Sequence, residues 1–180
     1  MSIPPSQPSA DTVSPNAASG PSQLFSFVFS DSQNAASLTG MGILFGGSVT
    51  FTNACYLVVD RTAGTVGLVW DSALGSDTRL LGSTTTLQNS QCLLGTSSIT
   101  PSGLSQILTF NITFKGAFGG AKNIYMYGAS GPANTGWVQR GTFTITAGGA
   151  PMANSVVPGS GSGPGQRFSF TFPTPADPAF

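Results

Sequence analysis

Residues 106–114 read QILTFNITF, the most regular alternation of side chains in the chain. One face of this stretch carries large apolar residues, namely Leu108, Phe110, Ile112 and Phe114. Successive side chains of a β-strand point to opposite faces of its sheet, so this spacing predicts a strand with one face packed on a core.

Shorter segments of the same kind lie on both sides of this stretch. Residues 55–60 and 65–70 flank a four-residue connection that ends in Gly64, which predicts a hairpin. Residues 71–83 are predicted to be a polar loop, and residues 101–103 a turn. The further candidate strands are residues 41–45, a short strand within 84–94, and residues 122–127, 137–140 and 142–146. No window shows a helical period, so the sequence predicts an all-β antiparallel sandwich, with a barrel as the alternative.

One of the strands occurs twice. Residues 13–30 read VSPNAASGPSQLFSFVFS, residues 156–173 read VVPGSGSGPGQRFSFTFP, and ten of the eighteen positions are identical at an offset of 143 residues. Phe25, Phe27 and Phe29 lie on one face of the first strand, and Phe168, Phe170 and Phe172 repeat this face in the second. Such self-similarity indicates a repeated structural unit, of which the chain holds one whole copy and the opening strand of another.

These features divide the chain into four parts. Residues 1–21 are predicted to be a flexible arm rich in proline, serine and alanine, and residues 22–147 the sandwich. Residues 148–165 are a Gly/Ser/Pro linker, and residues 166–180 hold the extra C-terminal strand and a tail.

Charged residues are scarce. The chain of 180 residues is 7% charged, with six Asp, two Lys, four Arg, no Glu and no His, and its formal net charge is zero. No basic cluster favours nucleic acid and no apolar run is long enough to span a membrane, so neither partner is expected. Without His and Glu the usual acid–base constellations cannot be built, and no cofactor motif occurs. The sequence therefore predicts a protein that is not an enzyme and has no metal or cofactor.

Cys55 and Cys92 are the two cysteines. An even count in a β-protein rich in Ser, Thr and Gly favours one disulfide and an extracellular or cell-surface location. The alternative is two reduced, buried thiols.

Four aromatic residues are candidates for a sugar-stacking platform: Trp70, Tyr125, Tyr127 and Trp137. The competing interpretation is that they pack the core and edges of the sandwich, as aromatic residues do in most β-domains.

A set of short motifs resembles a known but uncharacterised repeat. The motifs are Cys-Tyr-Leu at residues 55–57, Asn-Ser-Gln-Cys at 89–92, Lys-Asn-Ile-Tyr-Met-Tyr at 122–127 and Gly-Trp at 136–137. The chain is similar here to an Ig-like repeat of long multi-domain extracellular proteins of environmental bacteria. The resemblance implies a secreted Ig-like sandwich with Cys55 bonded to Cys92, in a scaffolding or adhesive setting, and it transfers no catalytic residue.

The leading hypothesis is a structural module that assembles with itself, as a homo-oligomer or a filament, by passing its C-terminal strand to a neighbouring copy. A second hypothesis is a carbohydrate-binding or adhesin module with a polysaccharide partner. A third is a decoration protein of a virion or appendage, since residues 1–20 lack the charged start and apolar run of a secretion signal.

Overall fold

In the computed structural model, residues 5–146, 155–157, 159–165 and 167–171 are described. They form fifteen strands, numbered here in chain order. The strands are β1 Pro8–Ser14, β2 Ala17–Gly20, β3 Ser22–Asp31, β4 Gly40–Gly46, β5 Cys55–Asp60, β6 Thr65–Val69, β7 Ser76–Leu80, β8 Leu87–Gln88, β9 Cys92–Ser102, β10 Ser105–Phe114, β11 Gly120–Ser130, β12 Ala133–Asn134, β13 Val138–Ile145, β14 Ser155–Val157 and β15 Ser169–Thr171. Two short 3₁₀ turns, Ala35–Ser37 and Gly116–Phe118, complete the described structure.

The strands form two large sheets and one small ribbon. The first sheet has the order β1-β3-β10-β9-β8, and the second has the order β2-β13-β11-β4-β5-β6-β7, with β12 beside β11. All pairings are antiparallel except that of β2 with β13. Two largely antiparallel sheets that pack face to face around a shared core form the β-sandwich arrangement of immunoglobulin-like domains. The predicted antiparallel Ig-like β-sandwich is confirmed.

The core lies between the inner faces of the two large sheets. The predicted face of β3 is fully buried there, and so is the predicted face of β10 apart from Phe114, which is 4% exposed. Phe25 is the centre of a ring cluster, with centroids 5.1 Å from Phe45 and 5.2 Å from Phe143. Burying a phenylalanine side chain contributes about 1.5 to 3 kcal/mol, so the alternation of these two strands is a main source of stability.

The N-terminal segment differs from the predicted arm. Residues 8–20 form β1 and β2, which lie at the edges of opposite sheets, and the chain crosses between them at the cis peptide Ser14–Pro15. Ala10 and Val13 are buried in the core. The prediction was wrong because edge strands tolerate proline and small polar residues, and a composition rich in both resembles a disordered arm.

Three further predictions need correction. The predicted polar loop 71–83 contains β7, whose Arg79 turns inward and donates hydrogen bonds to the carbonyl oxygens of Ser83 and Gly95. A charged residue on an inner face hides the alternation that would have indicated a strand. The predicted linker 148–165 contains β14, and the two segments 137–140 and 142–146 form one strand, β13.

Candidate assembly and binding surfaces

The C-terminal ribbon, β14 with β15, is the first candidate site. Its register places Ser155 opposite Thr171, Val156 opposite Phe170 and Val157 opposite Ser169. Among the described residues no third strand pairs with this ribbon. Of the three predicted strand-exchange residues in this segment, Phe168 is described and exposed, the backbone of Phe170 is described, and Phe172 lies outside the described residues.

This C-terminal ribbon repeats the pairing of β1 with β3. We call the pair formed by β1 and β3 the first ribbon. There Thr12 lies opposite Val28, Val13 opposite Phe27, and Ser14 opposite Ser26. Each of these six positions lies 143 residues before its counterpart in the C-terminal ribbon. The repeat therefore preserves strand pairing and register as well as sequence.

Comparison of the two ribbons separates buried from exposed positions. Six residues of β1 and β3 are buried, namely Ala10, Val13, Phe25, Phe27, Phe29 and Asp31. The first five recur unchanged at the offset of 143, as Ala153, Val156, Phe168, Phe170 and Phe172, whereas Thr174 takes the place of Asp31. The exposed Leu24 is replaced by Arg167. The sequence repeat thus keeps the five buried apolar residues and changes the buried Asp31 and the exposed Leu24.

The two copies differ in their surroundings. Phe25 is 0% exposed, whereas its counterpart Phe168 is 49% exposed. In the sandwich, β3 pairs with β1 on one side and with β10 on the other, where Ser26 lies opposite Thr109 and Leu24 opposite Asn111. We call the place beside the edge of β10, over the inner face of the second sheet, the seat. The first ribbon fills this seat in its own domain.

The two ends of the sandwich are distinguished by where the chain enters and leaves. Pro8, at the start of β1, lies opposite Asp31 at the end of β3. Ile145, at the end of β13, lies beside Gly20, which shortly precedes the start of β3. A strand of ten residues is roughly 30 Å long. The chain therefore leaves the sandwich at the end opposite to the one where β1 begins.

The disulfide between Cys55 and Cys92 is present, with a Cα–Cα distance of 5.6 Å. It joins β5 of the second sheet to β9 of the first, and both cysteines are fully buried. The predicted bond is confirmed. Like the usual immunoglobulin disulfide, it links the two sheets across the core.

The second candidate site is an outer aromatic cluster on the solvent side of the second sheet, made of Phe51, Tyr56, Tyr127 and Trp137. The Trp137 ring has centroid distances of 5.7 Å to Phe51, 5.4 Å to Tyr56 and 5.5 Å to Tyr127. Tyr127 and Trp137 were predicted, whereas Phe51 and Tyr56 were missed. Tyr56 follows the buried Cys55 in an alternating strand, a pattern that could have placed it on the outer face.

A glycine in β4 makes room for this cluster. A Cβ atom on Gly42 would lie 2.8 Å from Cη2 of Trp137, closer than real contacts allow. A glycine inside a strand often indicates such a close approach. Gly42 therefore lets the tip of the Trp137 ring reach the sheet.

Beside the cluster lies a groove of about 170 Å³. Gly40 and Gly42 form part of its lining, together with Tyr56, Tyr127 and Val58, and the described residues that line it are all uncharged. Burial raises the pKa of the Tyr56 hydroxyl, and the nearby Tyr127 raises it further. The Tyr56 phenol therefore stays protonated at neutral pH, and Tyr127 lies close beside it. An uncharged aromatic groove with hydroxyl groups suits a neutral ligand.

The other two predicted sugar-stacking residues lie elsewhere. Trp70 packs on Gly75 beyond the end of β6, where a Cβ atom would be 2.5 Å from the indole ring. The hydroxyl of Tyr125 accepts a hydrogen bond of 3.0 Å from Asn123 Nδ2. The structure therefore brings two of the four predicted residues together.

A larger cleft of about 500 Å³ lies beside the first 3₁₀ turn. Arg61 is the charged residue of its lining, and its guanidinium donates to the carbonyl oxygen of Ala36. Among the described residues no group of three or more His, Cys, Asp or Glu side chains is placed to hold a metal ion. In the same residues no helix has the length and apolar character needed to cross a membrane.

No protein-family model matches this chain, and no curated protein sequence is similar to it at a significant level. The resemblance to an extracellular repeat stays a prediction.

Proposed function

We propose that this protein is a non-enzymatic structural module of the extracellular space or cell surface, and that it assembles with copies of itself through its C-terminal ribbon. The observation that carries the proposal is the repeated register, in which β14 and β15 pair as β1 and β3 do. The C-terminal segment repeats the core-facing apolar residues of β1 and β3, but its Phe168 is exposed. It therefore matches the seat, which the first ribbon fills in the same domain. Strand addition of this kind joins protein modules through backbone hydrogen bonds and side-chain pockets.

The positions at which the chain enters and leaves the sandwich support head-to-tail assembly. The chain leaves the sandwich at the end opposite to the start of β1, and the ribbon follows this exit in the sequence. Contacts made from one end to the other repeat without closing, and they produce open chains of molecules. This geometry favours filaments over closed dimers.

The buried disulfide and the scarcity of charged side chains support the proposed location. Disulfides persist in oxidising compartments, and neutral Ser, Thr and Asn residues maintain solubility in many secreted β-proteins. Secretion of a tagged copy from the native host, followed by cell fractionation, would test the location directly.

Removal of the ribbon tests the proposal. A chain lacking residues 166–180 is expected to stay folded and monomeric, while the intact chain forms assemblies as its concentration approaches about 1 mM. Addition of the shortened chain should shorten those assemblies, because it accepts a ribbon but offers none. Light scattering and negative-stain microscopy measure both effects. Identical assembly by the shortened chain would refute the proposal.

A second candidate function is polysaccharide binding at the groove beside the outer aromatic cluster. Its support is the uncharged lining with two neighbouring phenols, Tyr56 and Tyr127. Aromatic faces and hydroxyl groups together recognise the alternating apolar and polar surfaces of sugar rings. Affinity electrophoresis in gels containing neutral glucans or galactans tests it. Tyr127→Ala should abolish any retardation and Trp70→Ala should preserve it; equal retardation of both variants and the wild type would contradict this assignment.

A further inference from the structure

We propose that the first ribbon, β1–β3, and the C-terminal ribbon compete for the same seat, and that the C-terminal ribbon binds the β10 edge of a second copy when that seat is vacated. This inference rests on the proposed function and names the acceptor. It also makes the protein's own first ribbon the element that controls assembly.

The buried side chains identify the acceptor. Five of the six residues that the first ribbon buries recur in the sequence at the offset of 143, so the C-terminal segment carries the same apolar residue types for the seat. Transfer of the β3–β10 register by 143 residues places Ser169 opposite Thr109 and Arg167 opposite Asn111. Leu24 and Asn111 are both exposed, so an arginine fits at the position of Leu24 without burying its charge.

The other sheet edges fit the ribbon less well. β8 and β2 are two and four residues long, and β1 begins with Pro8 and contains a bulge between Ala10 and Thr12. Short strands, prolines and bulges are the features that protect edges from added strands. β7 has five residues and, among the described residues, pairs only with β6, but Arg79 occupies its inner side. An edge at β7 would supply hydrogen bonds without the pockets that hold Phe25, Phe27 and Phe29 at the seat.

Competition between the first ribbon and the C-terminal ribbon of another molecule sets the protein concentration at which exchange occurs. The first ribbon is tethered to the seat at an effective concentration on the order of 1 mM. With equal intrinsic affinity, a second ribbon at about 10 µM from another molecule fills about one seat in a hundred. The intact protein is therefore monomeric when dilute, and a weakened first ribbon releases the seat for assembly.

The partner is a second molecule because the return path within one molecule is long. To fill its own seat, Ser155 would have to reach the place of Thr12, opposite Val28, from the end of β13 beside Gly20. That distance is roughly 25 Å along and across the sandwich, and the intervening residues 147–154 reach about 30 Å when almost fully extended. Such a taut connection loses conformational entropy that exchange between molecules does not.

The test uses the full chain with one phenylalanine of either ribbon replaced. Phe27→Ala removes a fully buried ring from the first ribbon and should raise the ratio of exchanged to unexchanged seats at about 10 µM by about a hundredfold or more, so that most seats hold a C-terminal ribbon. Phe170→Ala, the same change at the matching position of the second ribbon, should leave the protein monomeric. The double variant should return to the monomeric state. Analytical ultracentrifugation measures all three.

Cysteine pairs identify the acceptor edge. One Phe27→Ala population carries Thr109→Cys and another carries Ser169→Cys, and mild oxidation of the mixture should link them into dimers. The same experiment with Thr78→Cys on β7 reports addition to that edge instead. A chain carrying both Thr109→Cys and Ser169→Cys reports pairing within one molecule.

The outcomes separate this inference from the proposed function. Cross-linked dimers through Thr109 that disappear with Phe170→Ala support exchange at the seat. Cross-links through Thr78, or within a single chain, overturn it, as does a Phe27→Ala protein that stays monomeric and folded. If assemblies of the intact chain require residues 166–180 but the cross-link forms at Thr78, the proposed function stands and only the seat is wrong. An unfolded Phe27→Ala protein that no longer assembles also overturns the inference, because the second ribbon should replace the first.

Discussion

Alanine substitution at matching positions of the two ribbons should have very different effects on stability. Phe25 and Phe168 occupy the same place in the repeat, but Phe25 is 0% exposed and Phe168 is 49% exposed. The Phe25→Ala change is made in a chain ending at residue 165, so that no second ribbon replaces the weakened one. The Phe168→Ala change is made in the full chain.

The expected magnitude follows from burial. Truncation of a fully buried phenylalanine costs about 3 to 5 kcal/mol, and the Phe25 ring contacts four others, those of Phe27, Phe45, Phe114 and Phe143. The sandwich has about 140 residues, so its unfolding entropy is about 0.3 kcal/mol per degree, and the melting temperature should fall by about 10 to 17 °C. Phe168→Ala should change the free energy of unfolding by less than about 0.5 kcal/mol.

Differential scanning calorimetry at about 1 µM protein is the appropriate assay, because exchange between molecules is negligible at that dilution. Each variant is compared with its own parent chain. A loss above about 2 kcal/mol for Phe168→Ala would show that the C-terminal ribbon is part of the sandwich core and would refute the assignment of two separate environments.

Three further predictions follow from the sandwich itself. Replacement of both Cys55 and Cys92 by Ala should lower the free energy of unfolding by about 3 to 4 kcal/mol in urea denaturation, because the bond spans 37 residues; a loss below about 1 kcal/mol would contradict this. Burial opposes ionisation of Asp31, but hydrogen bonds from Ser6, Gln33 and Ser130 outweigh burial and hold the pKa of Asp31 below its usual range. The stability that the ionised Asp31 contributes is therefore present above about pH 4 and is lost as the pH falls through the lowered pKa. Melting curves between about pH 2 and 6 should show this loss in the wild type and a smaller one in Asp31→Asn. Gly42→Ala should displace Trp137, shift tryptophan fluorescence to longer wavelength and cost about 1 to 3 kcal/mol, whereas unchanged emission would show that the ring is held elsewhere.

The alternating strands were predictable because their pattern depends on one local rule. The faces of β3 and β10 follow directly from the two-residue period, and the glycine-terminated hairpin between β5 and β6 follows from its turn. β7 was missed because Arg79 faces inward, where its hydrogen bonds to Ser83 and Gly95 are tertiary contacts that no local pattern encodes. β1 and β2 were missed for a related reason, since their edge positions need few large apolar residues.

The candidate sites depend still more on tertiary structure. Phe51 and Tyr56 join Trp137 only when the loop before β5 folds over the outer face of the second sheet. Trp70 was grouped with these residues on composition, but its place next to Gly75 is set by the turn between β6 and β7. Aromatic content alone therefore predicted a surface and could not assign its members.

The duplicated ribbon shows what a repeat can reveal when burial is known. Sequence comparison finds ten identities among eighteen positions, and the structure adds that the buried apolar positions are kept while Leu24 becomes Arg167. Retention of apolar residues at buried positions, with a charge at an exposed one, is the pattern expected of a segment that fills an equivalent core. Asp31, the one buried residue that changes, is bonded to Ser6 and Ser130, and its replacement Thr174 lacks the carboxylate. The first ribbon thus has a polar anchor whose carboxylate the repeat lacks, and under the proposed exchange this difference should favour the monomer until that anchor or the packing of β3 is weakened.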